Sequence, residues 1–257
     1  MHSPLSWTEK YQIKSGKWIY VPTIQAKFNG RVIIEKVKSE WTPPDFYYHL
    51  QKGGHVKALK EHTKNNYFTS LDLSDFFGSM SRTRLTRALK SLFEYDEART
   101  IAKSSTVPHW KENAHSHSIP YGFSQSPILA SICLEKSTLG IALNECHLDN
   151  NLTITVYMDD IILSSTHEFY LNGWLDYIKE AATKSKLSLN LKKSNPVANK
   201  IQVFNIELSH KKLQVNNKRF EEFKKVYTES LSEHQRYGIS GYISTVNSMQ
   251  LLELSNL

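Results

Sequence analysis

The stretch TITVYMDDIIL, residues 153–163, sets two adjacent carboxylates, Asp159 and Asp160, inside an apolar run. Thr153, Ile154, Thr155, Val156 and Tyr157 are β-branched or aromatic, and Ile161, Ile162 and Leu163 resume the pattern, so the segment reads as a strand or hairpin. Two acids there cost several kcal/mol in desolvation and mutual repulsion unless a cation offsets them, and a divalent ion is the usual remedy. A third acid, Asp72, lies in another strand-like run, NYFTSLDLSDFF, 87 residues before Asp159. If the two strands are neighbours, three carboxylates converge without a counter-charge of their own. Such an oxygen-only set suits Mg²⁺ or Mn²⁺ better than zinc. Two such ions about 3.5–4 Å apart activate a hydroxyl and stabilise a leaving phosphate oxygen, so the chemistry implied is phosphoryl transfer. An Asp-Asp pair alone is more often a turn or a solvated strand end, so other segments must carry the argument.

The elements that would position these acids belong to a mixed α and β chain. At 257 residues it can form one large domain or two lobes that share a cleft. The net charge of +7 suits a polyanionic partner without requiring one. No run approaches the roughly 20 apolar residues of a membrane span, and MHSPLSWTEK lacks the order of a signal peptide. A soluble, cytoplasmic protein with no membrane partner is expected. Cys133 and Cys146 lack CxxC spacing and read as core thiols. KWIYVP and RVIIEKV read as strands joined by a turn at Asn29-Gly30, with Lys17, Lys27 and Arg31 nearby. Helices are predicted over 55–64, over 81–103 with Ser81 as N-cap and a second helix after it, from Pro127 onward as one long apolar helix, and over 168–186. IQVFNIELSHKKLQV reads as a strand pair with a basic turn, and two helices close the chain. His109, His115 and His117 have no ligand-like spacing and read as surface residues.

Five motifs in order across residues 46–216 then carry a resemblance. YMDD between apolar strands looks like the metal-binding signature of reverse transcriptases, and SLDLSDFFGSM resembles the earlier metal-binding strand of bacterial members. IPYGFSQSPILASICL is similar to their loop and helix with Ser-Pro before an apolar run. LSLNLKKSN looks like the segment bearing a lysine, and VFNIELSHKKLQV resembles the primer-grip hairpin. The resemblance implies an α+β right-hand polymerase: fingers over 1–45 and 81–119, an RRM-like antiparallel-sheet palm over 46–80 and 120–208, and the end of the primer-grip hairpin with a short, truncated thumb over 209–257. It implies RNA-directed DNA synthesis on a primer hydroxyl with Mg²⁺ or Mn²⁺, dNTPs as substrates, an RNA template or structured non-coding RNA as partner, and DNA as product.

Residue by residue, the resemblance places Asp72, Asp159 and Asp160 as catalytic metal ligands with the Leu73 carbonyl beside them. Lys193, or its neighbour Lys192, falls at the lysine that protonates leaving pyrophosphate. Phe77 falls at the aromatic that excludes a ribose 2′-OH, with an ordinary core residue as the even alternative. Tyr121, Gly122, Gln125 and Ser126 fall in the loop under the incoming nucleotide. Lys17 and Arg31 are candidates for its phosphates, and Glu207, Leu208 and Ser209 for the primer grip. The chain departs from the family pattern where Tyr121 replaces the glutamine of Pro-Gln-Gly, while Gln125 stands just before Ser126. The form GFSQSP resembles that of defence-associated and abortive-infection enzymes, some of which extend DNA without a conventional template. Val203-Phe204-Asn205 stands where retron enzymes typically have Val-Thr-Gly, which disfavours a retron proper. Anti-phage defence, a companion protein or self-association that compensates for the short thumb, untemplated or protein-primed synthesis, and an inactive RNA-binding polymerase fold are the further expectations.

Overall fold

A computed structural model of the protein describes residues 6–14, 16–109 and 116–257; His115 lies outside the described residues. The chain opens with an antiparallel ribbon, β1 (Trp7–Lys14) and β2 (Lys17–Pro22), followed by a long helix, α1 (Ile24–Glu40). This corrects the expected strand at RVIIEKV, since KWIYVP pairs with the residues before it. Gly30, Ile33 and Val37 fall on one helical face and are buried, and Thr23 caps the helix by accepting the Ala26 N–H at 3.1 Å. Gly30 is therefore a point of close packing, where a Cβ would stand 2.4 Å from Gln125 Oε1.

A 3₁₀ turn (Tyr48–Leu50) leads into α2 (Gly54–His62), β3 (Tyr67–Asp72) and the short α3 (Phe76–Ser79). The stretch over 81–103 is two helices rather than one, α4 (Arg82–Leu89) and α5 (Tyr95–Ser104); Ser81 caps the first by accepting the Arg84 N–H. Two short strands, β4 (Val107–Pro108) and β5 (His117–Ser118), pair before the apolar segment. The long helix expected from Pro127 is α6 (Ser126–Glu135) and α7 (Thr138–Leu148), bent by 80°. Ser137 caps α7 through the Gly140 N–H, and a Cβ on Gly140 would meet Leu134 O at 2.2 Å, so this bend needs glycine. No helix among the described residues is long and apolar enough by itself to cross a membrane.

The acidic hairpin follows as β6 (Thr153–Tyr157) and β7 (Asp160–Ser165), then α8 (Glu168–Lys184) and β8 (Asn195–Ala198). IQVFNIELSHKKLQV supplies three strands, one more than expected: β9 (Lys200–Val203), β10 (Ile206–Ser209) and β11 (Lys212–Val215). Three helices end the chain, α9 (Asn217–Glu229), α10 (Glu233–Val246) and α11 (Ser248–Ser255).

The central sheet has the order β6-β7-β3-β8, antiparallel throughout. Strand alternation divides its side chains between two cores. Leu71, Ile161 and Leu163 face a core shared with α4 to α8, whereas Phe68 and Ile162 face one shared with α2, the β9–β11 sheet and α9 to α11. Cys133 and Cys146 are buried in the first core, and burial pushes both thiols up to about 12.

His62 is fully buried between the cores, its ring nitrogens 2.7 Å from Ser164 Oγ and 2.8 Å from Thr155 Oγ1. Desolvation, with Lys64 nearby, holds its folded-state pKa down at about 3. The unfolded chain therefore takes up a proton near pH 6.5 that the native state refuses. Stability is complete above that pH and falls below it by up to roughly 1.4 kcal/mol per pH unit for this histidine. Denaturant titrations at a series of pH values should show a slope in unfolding free energy that shrinks by about one proton in His62→Gln.

Candidate active site

The β3–β7 register sets Asp72 directly opposite Asp160. Between β6 and β7 the chain turns at Met158-Asp159, with Met158 in the left-handed region at φ 57°. A methionine there is held by its surroundings. The Met158 N–H donates to His49 Nδ1 at 3.0 Å, and the neutral ring then carries its own proton on Nε2, 2.7 Å from Ser131 Oγ. Burial keeps His49 neutral, its pKa lowered to about 4. The Asp159 carbonyl accepts the Leu73 N–H at 2.8 Å, and the Asp72 carbonyl accepts the Asn190 N–H at 2.8 Å. Three segments distant in sequence are thus stitched together at one point by backbone bonds.

The side chains there are short of positive charge. Lys193 Nζ donates to Asp72 Oδ2 at 3.0 Å, and that bond holds the ammonium charged. Asp160 is pushed up to about 7 by desolvation and then by repulsion from Asp159 and Asp72. Asp159 is raised mainly by burial, with Asp72 adding to the shift and Lys17 and Lys193 opposing it. Among the described residues no three His, Cys, Asp or Glu side chains form a preassembled metal cage. The fit to a metal therefore rests on donor chemistry: anionic oxygens, partly desolvated, with too few cations to balance them.

One wall comes from the N-terminal ribbon. Lys17 Nζ stands 4.3 Å above the Tyr121 ring, and that ring meets Phe77 edge-on with centroids 4.7 Å apart. Burial raises the Tyr121 phenol pKa, as do the charges of Asp159, Asp75 and Asp72, which puts this ring beside the acids. The Tyr20 N–H donates to Tyr121 O at 2.9 Å. Next to it Gly122 has φ 104°, and a Cβ would lie 2.2 Å from Tyr20 O, so only glycine lets the ribbon approach.

Other candidates lie elsewhere. Gln125 is buried beneath α1, with Nε2 3.4 Å from Ser105 Oγ, and Ser126 Oγ donates to Pro120 O at 2.6 Å; both brace the loop from behind. Arg31 is exposed on α1, and no contact among the described residues joins it to the acids. Glu207 accepts from Lys200 and Gln214, Leu208 is buried in the second core, and Ser209 ends β10. That sheet also meets the acidic hairpin through the Phe204-Asn205 turn, both residues at positive φ. The Phe204 ring lies 5.3 Å from Tyr157 and 5.2 Å from His55, and His55 Nε2 stands 3.3 Å from the Tyr242 hydroxyl. This group and His49 escaped sequence reasoning; an aromatic in a two-residue turn was the available signal. His109 is also not a surface residue, since its side chain is 3% exposed and its Nε2 lies 3.9 Å from Asp75 Oδ2.

The family model described as reverse transcriptase (RNA-dependent DNA polymerase) matches residues 13–222. The retron Ec73 reverse transcriptase of Escherichia coli is 24% identical over 203 residues, covering 74% of this chain and 63% of that protein. The chain thus spans less than two thirds of this relative's length. A retron enzyme is therefore among its relatives despite the Val203-Phe204-Asn205 departure. In fold, a telomerase from Candida albicans solved with a fragment of telomeric RNA matches at a TM-score of 0.55 and 12% identity, over 90% of this chain and 45% of that one. A foamy viral protease-reverse transcriptase solved with double-stranded DNA matches at 0.52 and 17% identity, over 90% and 34%. The architecture is that of a right-hand polymerase.

Because the three acids repel one another, Asp160→Asn should stabilise the metal-free protein. Ionised Asp160 is disfavoured in the folded state, so the gain is present above about pH 7 and fades as pH falls toward the unfolded carboxylate range. Thermal unfolding in chelator at pH 8 should show an increase of about 1–2 kcal/mol.

Proposed function

The chain belongs to the reverse transcriptase (RNA-dependent DNA polymerase) family, and we propose that it adds deoxynucleotides to a primer hydroxyl at Asp72, Asp159 and Asp160. The observation that carries this reading is the convergence of three carboxylates, fixed by strand register and short of positive charge. Mg²⁺ or Mn²⁺ held by these acids and the Leu73 carbonyl would supply Lewis acidity toward the attacking hydroxyl and the leaving phosphate. Lys193, whose ammonium bonds Asp72, would give a proton to departing pyrophosphate. Lys17, over Tyr121 and near Asp159, is the better-supported cation for the triphosphate, with Arg31 an outer contact. Tyr121 and Gly122 would form the floor under the nucleotide, backed by Phe77 and braced by Gln125 and Ser126. Glu207, Leu208 and Ser209 lie in the sheet that would carry the primer, and its Phe204 turn touches the acidic hairpin.

On this reading residues 1–45 and 81–119 are fingers, 46–80 and 120–208 palm, and 209–257 the end of the primer grip and a short thumb. An RNA template or structured non-coding RNA is the expected partner, DNA the product, and a companion protein or self-association the support for the thumb. Anti-phage defence is the biological setting proposed. Tyr121 in place of the template-holding glutamine favours a second reading, in which the same site makes DNA without copying.

Labelled dNTP incorporation by purified protein with Mg²⁺, with and without added RNA, tests both. Asp159→Ala/Asp160→Ala should lower incorporation at least about a hundredfold. Copying appears as product complementary to the RNA, untemplated synthesis as mutant-sensitive product that ignores it, and undiminished incorporation by the double variant would sink the proposal. Phe77→Val should raise ribonucleotide use relative to dNTPs; lower stability with unchanged discrimination would leave Phe77 as a core residue.

A further inference from the structure

On the helix-covered side of the sheet, a cavity of about 440 Å³ opens between α4, the α6–α7 bend and the end of α8. Arg84, Arg87, Lys136, Lys184 and Lys186 line it, and it shares no residue with the carboxylate cleft. Lys136 is paired with Glu135 at 3.5 Å and Lys184 with Glu180 at 2.8 Å. No carboxylate pairs with Arg84, Arg87 or Lys186 among the described residues, which leaves the cavity with about three uncompensated cations. Arg84 is partly buried, donates to Ser185 O at 2.6 Å, and is disfavoured as a cation by desolvation and by Arg87. Lys186 sits at φ 54°, a conformation in which glycine rests easily and lysine does not. The bend also presents the N-terminal end of α7, with Ser137 and Thr138 in the lining, and that end adds positive potential. Arg84 is the partly buried member of the five and the other four stand exposed at the rim, so mutual repulsion and the partial desolvation of Arg84 are offset when an anion enters.

We infer that this cavity binds a phosphoryl group, carried by a nucleic-acid backbone that lies against α4 and α8 outside the polymerase cleft. Its volume admits a phosphodiester with part of its sugar, and five cationic side chains around it suit a polyanion better than a single small ion. The inference stands apart from polymerisation, because none of its residues touches the acids.

The test compares the wild-type chain with Arg87→Gln/Lys186→Gly. Glycine at 186 relieves the left-handed strain, and Lys186→Gly alone should melt no lower than wild type, which keeps folding out of the comparison. Anisotropy with a labelled RNA hairpin across a salt series should show affinity falling about tenfold in the double variant and the log–log salt slope becoming shallower by roughly 1.5, as expected for two lost phosphate contacts. Extension of a preformed primer–template at low salt should change less than about twofold, since the cleft is untouched. In parallel, inorganic phosphate is titrated while the melting temperature is followed. A phosphate-dependent rise lost in the variant, with RNA affinity unchanged, would overturn the nucleic-acid backbone as the source in favour of a small phosphorylated ligand. Equal salt slopes together with no phosphate effect would overturn the site itself.

Discussion

The antiparallel pairing of β3 with β7 decides where every charge in the cleft lies. With Asp72 opposite Asp160, the carboxylates stand at the ends of their strands, and the apolar side chains in the rest of β3 and β7 seal the two cores. Because side chains alternate along a strand, a slip of one residue would turn Leu71 and Ile161 toward the other face and strand the acids in a core. The register is therefore specified by burial on both faces, and the chemistry inherits it. The charged site is the end of a hydrophobic zipper.

That arrangement is costly, and the cost is concentrated at the acidic turn. Asp159 and Asp160 resist ionisation, Met158 is held at positive φ, and among the described residues Lys193 is the one cation that bonds directly to these acids. The surrounding structure holds the turn through its backbone: His49 accepts the Met158 N–H, Phe46 O accepts from Val156, and the Asp159 carbonyl accepts from Leu73. Neutral His49 and His62 extend this support into the sheet by bonding the buried Ser131, Ser164 and Thr155 hydroxyls.

Two contacts bring the flanking lobes to the site. The N-terminal ribbon bonds to Tyr121 at Gly122, where the absence of a side chain lets backbones meet, and this carries Lys17 toward Asp159. On the opposite flank, Phe204, His55 and Tyr242 link the β9–β10 turn and α10 to Tyr157 at the end of β6. A shift of either flank would therefore be felt directly at the acidic hairpin.

By itself the sequence determined the local chemistry and the elements with a strong period. Asp72, Asp159 and Asp160 stand out because acids in β-branched runs are costly, and the Ser81 cap and the helix after residue 167 were legible because capping and 3.6-residue spacing are short-range signals. The family motifs were legible for the same reason. Tertiary structure decided what short range leaves open. RVIIEKV has strand-like composition, yet it forms a helix because Gly30, Ile33 and Val37 find one surface to pack on. The apolar run after Pro127 breaks at Ser137 because Gly140 permits a bend that packs both halves into one core. Gln125, polar and beside the Ser-Pro motif, is buried behind the loop, while Lys17, in a ribbon far away in sequence, stands over Tyr121 and adds its charge to the field at Asp159. Which charges meet depends on the path of the whole chain, and that path follows burial of surfaces that lie far apart in sequence.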